Sequence, residues 1–324
     1  MNNPTFRSYL IPTLLGLAAF TQLPASAQQA SCLHRTLALN VDDSRGIPVR
    51  GLSPADFQAN LRVGSPKILS IVPDDRMHRI VILIDASGSM SRVWRESLAP
   101  ASALAETPMR NVQMALLVFG GNVYEKIEFS KGQSAVAEKL RQIRSSEAYS
   151  HQLFHGKTAL YDSLLAGLQL LDSPSSADSL YLISDGRENA SRAHFDDVAH
   201  RFITTGVRLF VSQVVADDTL NPQLGSGELD GPARFHELAR KTGGEMIQPF
   251  RDGVVPTKPK EAQRIAEGVN AFHKNMIHSF RLEVELPRPL DKYYSWELKF
   301  AGDNNERWKN VRLLYPTQLA PCGP

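Results

Sequence analysis

Apolar and polar positions change their period twice along this chain. From Leu33 to about Arg76 the period is two. Leu37, Leu39 and Val41 alternate with Thr36, Ala38 and Asn40, as in a strand with one buried face. Asp43-Ser44-Arg45-Gly46 reads as a turn. Ser53-Pro54-Ala55-Asp56 reads as a one-turn helix start, with Ser at the cap and Pro at the first helical position. From His78 to about Phe280 short apolar runs replace the alternation. Ile80-Val81-Ile82-Leu83-Ile84, Met114 to Phe119, Leu180 to Ile183 and Leu209 to Val215 predict strands covered on both faces. Helical spacing lies between them. Phe195, Val198, Ala199, Phe202 and Ile203 share one face, as do Ala262, Ile265, Ala266, Val269 and Phe272. Ala159 to Leu171 is another candidate helix, and Phe235 to Lys241, ended by Gly243-Gly244, a further one. This alternation predicts an α/β fold, a doubly wound, mostly parallel sheet flanked by helices. From Arg281 the period returns to two in Leu282, Val284 and Leu286, then Trp296, Leu298 and Phe300, then Val311, Leu313 and Tyr315. Three half-exposed strands make a marginal sheet alone. The N-terminal strands are therefore expected to join them in a small β-domain built from both chain ends.

Composition and charge narrow the function classes. At 324 residues and 42% hydrophobic, the chain is a globular protein and not a disordered one. Lys+Arg 36 against Asp+Glu 34, with no basic run, gives no case for nucleic acid. Arg7, the mostly apolar stretch Tyr9 to Thr21, and Leu23-Pro24-Ala25-Ser26-Ala27 together read as a secretory signal peptide cut after Ala27. The apolar run is too short to span a bilayer. The expected product is exported, periplasmic or secreted, without a transmembrane segment. Its organisation is 1–27 leader, 28–76 and 281–324 the two parts of the β-domain, and 77–280 the α/β domain. The two cysteines, Cys32 and Cys322, sit near opposite ends of the mature chain. Export permits a bridge between them, contributing on the order of 5 kcal/mol for so long a loop. Two free thiols are the other reading.

Candidate chemistry collects at the carboxyl ends of the buried runs, where open α/β sheets hold ligands. Asp85-Ala86-Ser87-Gly88-Ser89 closes the first of them. Three oxygen-bearing side chains at alternate positions can converge on one hard cation where Gly88 lets the backbone turn. Gly156-Lys157-Thr158 puts a hydroxyl at a helix start, and Leu182-Ile183-Ser184-Asp185-Gly186 puts a carboxylate at the end of another strand. This arrangement resembles the von Willebrand factor type A domain with its metal-ion-dependent adhesion site. Asp85, Ser87 and Ser89 match the family's D-x-S-x-S motif, Thr158 its separate threonine, and Asp185 its late aspartate. The likeness runs from about His78 to Phe250, and Leu238 to Gly244 resembles the family's last helix-to-strand turn. Val41 to Leu52, followed by Asp56-Phe57, is similar to the lead segment of exported bacterial proteins related to the same family. One departure is Lys157, where the family commonly has a small residue. It is read as turned to solvent or as a cation beside the site.

The resemblance implies a non-enzymatic protein-binding module. Ser87, Ser89 and Thr158 would offer neutral oxygens to Mg²⁺, or to Mn²⁺ or Ca²⁺, with Asp85 and Asp185 acting largely through bound waters. A metal held this way stays electrophilic and takes an Asp or Glu of a partner protein as a further ligand. The alternative is a structural or interaction module whose metal site is degenerate and whose β-domain does the binding. The resemblance also makes Ala262 to Phe280 the last helix of the domain, an element that moves in some relatives. Other patterns say less. Gly156-Lys157-Thr158 imitates the end of a phosphate-binding loop, but His151 stands where the first glycine is needed. His151 and His155 are spaced for zinc only on a helix, and Ser145 to Gly156 reads as a loop. No paired histidine base accompanies Ser89. Trp94 is either core or a ligand contact. Asp162 either orients the threonine loop or is an ordinary first-turn acid. Trp296 and Trp308 fit the β-domain core.

Overall fold

The computed structural model describes residues 32–214, 231–249, 258–302 and 306–322. The predicted signal peptide, Val215 and Phe250 lie outside the described residues. In chain order the elements are β1 (His34–Asp42), β2 (Phe57–Leu61), β3 (Lys67–Pro73), β4 (His78–Asp85), α1 (Trp94–Ser97), α2 (Ala99–Glu106), β5 (Val112–Phe119) and β6 (Val123–Ile127). There follow α3 (Gly132–Ser145), α4 (Glu147–Leu153), α5 (Leu160–Gln169), β7 (Ser179–Ser184), α6 (Phe195–Thr205), β8 (Arg208–Gln213), α7 (Gly231–Thr242) and β9 (Met246–Ile247). The last are α8 (Pro259–Ile277), β10 (Phe280–Glu285), β11 (Tyr294–Phe300), β12 (Arg312–Leu314) and β13 (Gln318–Leu319).

The central sheet has the order β6-β5-β4-β7-β8-β9. Its strands run parallel except for β6, which pairs antiparallel with β5 at one edge. The apolar run of β4 serves two cores because successive side chains point to opposite faces. Ile80, Ile82 and Ile84 pack with Met114, Leu116 and Val118 beneath α2, α3 and the Phe272 and Met276 side chains of α8. Val81 and Leu83 pack with Leu117, Leu164, Phe202 and Leu238 beneath α5, α6 and α7.

The two chain ends build two small antiparallel sheets, β12-β1-β10-β3 and β13-β11-β2. Both cover one core that includes Leu39, Val41, Leu282, Val284, Trp296 and Leu298. Trp308 is buried and stacks on Phe300 at 4.2 Å. Cys32 and Cys322 are joined in a disulfide with their Cα atoms 5.6 Å apart. The Asp43–Gly46 turn forms, with the Gly46 N–H donating to the Asp43 carbonyl.

Two expectations need correction. Ser145 to Gly156 is not a loop, because Glu147–Leu153 is helical. Polar residues dominate that stretch, and the helix is held from its far end by Leu153 and Phe154, both buried, the latter stacked 5.5 Å from Trp94. Trp94 is accordingly core. The last helix ends at Ile277, and Phe280 already opens β10.

A buried polar joint fastens the end of α8. Arg208, fully buried at the start of β8, donates through Nη1 to the Asn40 side chain (3.1 Å) and the Asn275 carbonyl (2.8 Å). Its Nη2 donates to the Met276 carbonyl at 2.9 Å. Burial pushes its pKa down to about 10, so it stays charged near neutral pH. The Asn275 amide donates to Glu245, which also takes Arg312 of β12 at 2.8 Å. One guanidinium thereby satisfies carbonyls that a helix end leaves open.

Candidate functional site

β4 and β7 are in parallel register, Ile84 opposite Ile183. Asp85 and the Ser184-Asp185 pair therefore emerge together at the carboxyl rim of the sheet. Asp85 is completely buried, its Oδ1 accepting the Ser87 N–H at 2.9 Å and its Oδ2 the Ser184 hydroxyl at 2.6 Å. The Ser184 oxygen in turn accepts the Gly186 N–H at 2.9 Å. Gly186 has φ +82, so the left-handed turn that lifts the chain off Asp185 needs a residue without Cβ. The hydroxyls of Ser87 and Ser89 lie 3.1 Å apart.

The threonine loop is laced to both neighbours through its backbone. The Gly88 N–H donates to the Gly156 carbonyl at 3.1 Å, and the His155 N–H to the Ala86 carbonyl at 3.0 Å. Thr158, 2% exposed, donates its N–H to Asn189 Oδ1 at 2.9 Å and accepts the Asn189 N–H at 3.1 Å. Asn189 stands four residues after Asp185, so these two bonds join the Thr158 and Asp185 segments. The structure thus brings together the loops carrying Asp85, Ser87, Ser89, Thr158 and Asp185. Lys157, between Gly156 and Thr158, is exposed.

Three residues of this rim are absent from the sequence reading. Glu188 accepts five hydrogen bonds, from the N–H groups of Leu160 (2.7 Å), Tyr161 (3.1 Å), Ala190 (2.8 Å) and Ser191 (2.7 Å) and from the Ser191 hydroxyl (2.7 Å). Ala159 at the N-cap of α5 has no side-chain oxygen, and Glu188 caps that helix from another segment. Asn189 is the second. Arg187 is the third, its Nε 3.4 Å from Asp185 Oδ2 while its N–H donates to Oδ1 at 3.1 Å. The polar run Arg187-Glu188-Asn189 was the available signal, but nothing along the chain says which helix it reaches. Asp162 accepts the Arg192 and Ala193 N–H groups at 3.0 and 2.9 Å. It fixes the loop after Asp185 and leaves Thr158 to Asn189.

Electrostatically the rim sets two buried carboxylates, Asp85 and Asp185, near one guanidinium, Arg187. Burial, with the Asp185 charge added, pushes the Asp85 carboxyl up to about 7. The histidines do not form a zinc pair. His151 is on α4 and exposed, 3.9 Å from Glu147, whereas His155 lies past the helix end and stacks on Tyr124 at 5.9 Å. The helix α4 leads into Gly156-Lys157-Thr158 where a phosphate-binding loop would need a strand.

Residues 80–188 match the family model described as von Willebrand factor type A domain. This segment is a von Willebrand factor type A domain. Among solved structures, the chain is similar to von Willebrand factor type A from Catenulispora acidiphila at 12% identity. That match covers 90% of this chain and 75% of that one, with a TM-score of 0.42. It is also similar to the conserved hypothetical protein BatB from Bacteroides thetaiotaomicron at 15% identity, covering 60% and 98%, with a TM-score of 0.40. The human COPII-coat protein Sec24c matches at 9% identity and a TM-score of 0.42, over 76% of this chain and 44% of that one. No curated protein matches the chain. No helix among the described residues is long and apolar enough to cross a membrane.

The donor set at the type A domain's rim decides what it could hold. Among the described residues no three His, Cys, Asp or Glu side chains converge as a metal cluster. The candidate ligands are instead hydroxyls and two carboxylates, hard oxygens that suit Mg²⁺ or Mn²⁺ and are poor for Zn²⁺. Asp85 spends its oxygens on Ser87 and Ser184, an arrangement fit to act through water. The residues present fit a divalent ion of this kind.

Proposed function

We propose that the chain is an exported, non-enzymatic interaction protein whose type A domain binds a partner protein through a divalent cation. Ser87, Ser89 and Thr158 offer neutral oxygens, and Asp85 and Asp185 supply negative charge behind them. An ion ligated mainly by hydroxyls remains electron-poor, and a partner's Asp or Glu completes its shell. The observation that carries this reading is the pair of buried carboxylates, Asp85 at 0% and Asp185 at 6% exposure, one at the end of β4 and the other just past the end of its parallel neighbour β7. Two such charges held together in a desolvated site favour a bound cation. Titration calorimetry of Mg²⁺ and Mn²⁺ into the purified chain tests it. One ion should bind per chain, and Asp85→Ala and Thr158→Ala should each weaken binding at least tenfold. Binding unchanged in both variants sinks the site as drawn.

One observation favours the second reading, a degenerate metal site with partner binding by the β-sheets. Arg187 ion-pairs with Asp185 at 3.4 Å and its side chain is 15% exposed, so a guanidinium already offsets part of the charge a metal would meet. Under that reading Arg187→Gln creates or strengthens Mg²⁺ binding. Partner capture in the wild type is then indifferent to EDTA.

A further inference from the structure

A cavity of about 300 Å³ opens on the seam between the two halves of the molecule, away from the Asp85 rim. One wall is the start of β1 with the segment around β13. The other is the Ser175-Ser176 turn, the carboxyl end of α6 and the end of α7. Its lining includes His34, Arg35, Arg76 and Lys241 and contains no Asp or Glu. Two of these side chains are matched outside the cavity. Arg76 forms two hydrogen bonds to Asp74, at 2.7 and 2.6 Å, and Lys241 pairs with Glu237 at 2.8 Å.

Arg35 differs. Its Nη2 donates to the Ala320 carbonyl at 3.1 Å and lies 3.8 Å from each sulfur of the Cys32–Cys322 bridge. Among the described residues no carboxylate lies within ion-pair distance of it. A half-buried guanidinium without a counter-charge is an unusual thing to keep, because desolvated charge is costly unless paired. Its planar fork suits the two oxygens of a carboxylate or phosphate. Ser176 Oγ accepts from Arg76 Nη2 at 3.1 Å and so retains its own proton to donate. Leu37, Phe202 and Leu319 supply an apolar side to the same space. At roughly 30 Å³ per water the cavity takes about ten, the bulk of a small metabolite. Junctions between domains are common places for such sites.

We propose that this seam cavity binds a small organic anion, a carboxylate or phosphate monoester of roughly ten non-hydrogen atoms, with Arg35 gripping the anionic group. A ligand seated there touches both halves of the molecule, so it stabilises their docking as well as itself.

The test is calorimetry and thermal melting on the disulfide-intact full chain in chloride buffer containing EDTA, which keeps divalent metals out of the result. Glycerol 3-phosphate and benzoate are the probes, with glycerol and benzyl alcohol as their uncharged counterparts. At least one anion should bind saturably, one per chain, and raise the melting temperature by several degrees, while neither uncharged compound does. Which anion binds separates the phosphate source from the carboxylate one. Arg35→Gln should weaken binding at least tenfold and Arg35→Lys by less. Should Arg35→Gln fail to fold, Thr36→Trp, an exposed position on the cavity wall, must abolish binding at an unchanged melting temperature. No binding of either anion up to about 10 mM overturns the proposal. Equal binding by Arg35→Gln and wild type, or binding that survives Thr36→Trp, overturns it too.

Discussion

The two rims of the parallel sheet both bury charge, and they handle it in opposite ways. At the amino-terminal rim Asp178 and Asp74 each meet an arginine, and Arg208 meets neutral acceptors. Arg79 grips Asp178 with two hydrogen bonds of 3.0 and 2.8 Å, and Arg76 grips Asp74. Arg208 spends its Nη1 and Nη2 on two carbonyls and an amide oxygen. Burial alone would raise the Asp74 carboxyl, but the Arg76 hydrogen bonds and charge bring it below its ordinary value. At the carboxyl-terminal rim Asp85 moves the other way, up to about 7, because burial and Asp185 act together on it. Self-neutralised charge fastens a fold. Two carboxylates gathered among hydroxyls, one of them paired with Arg187, are a weaker fastener and favour a cation.

Substitutions at the two rims can break or sharpen this contrast. The largest expected effect is at the amino-terminal side. Arg208→Met should cost about 3–5 kcal/mol in urea unfolding, because it leaves the Asn275 and Met276 carbonyls and Asn40 without their donor. Arg208→Lys should recover only part of that, since an ammonium cannot reproduce the fork. A cost under about 1 kcal/mol would mean that the joint is dispensable.

Acid comes next. His273 is buried against Tyr181, and among the described residues its Nε2 has no hydrogen-bond partner. Burial pushes its pKa down to about 4. It is neutral in the fold while the unfolded chain takes up the proton near the ordinary histidine value of about 6.5. Stability is therefore complete above that pH and falls as acid carries the protein toward pH 4, by about 3 kcal/mol from this group. His273→Phe should flatten that part of the curve in denaturation followed from pH 7 to pH 4. An unaltered slope would place the acid sensitivity elsewhere.

Glu188→Ala should cost about 2 kcal/mol, because the first turn of α5 loses its cap and Ser191 its acceptor. Hydrogen exchange at Leu160 and Tyr161 should quicken in step. Protection unchanged there would show that the cap is not what holds the Thr158 loop. Lys157→Ala should do least, within about 0.5 kcal/mol by thermal melting, because its side chain is exposed.

Much of this architecture is legible along the chain, because burial on two faces leaves a direct trace. Ile80 to Ile84 is apolar at every position, as a central strand demands, and Trp296, Leu298 and Phe300 alternate as a one-sided strand does. The five candidate ligands are legible only through resemblance, since D-x-S-x-S alone does not say that Thr158 and Asp185 come to the same rim. What escapes is the individual side chain that bonds to a backbone far off in sequence. Glu188 caps a helix that begins 28 residues earlier, and Arg208 satisfies carbonyls 67 and 68 residues later. The α4 helix escapes for a related reason. Its sequence is polar and its stability comes from Leu153 at the end and the Phe154–Trp94 stack just beyond it.

Diffraction from crystals of the full chain grown with Mn²⁺, using the metal's anomalous signal, tests the contrast between the rims most directly. The account predicts one strong peak at the carboxyl rim, within coordinating distance of the Ser87, Ser89 and Thr158 hydroxyls, and none at the amino-terminal rim. Crystals without a peak at the carboxyl rim, with Arg187 still on Asp185, would contradict it.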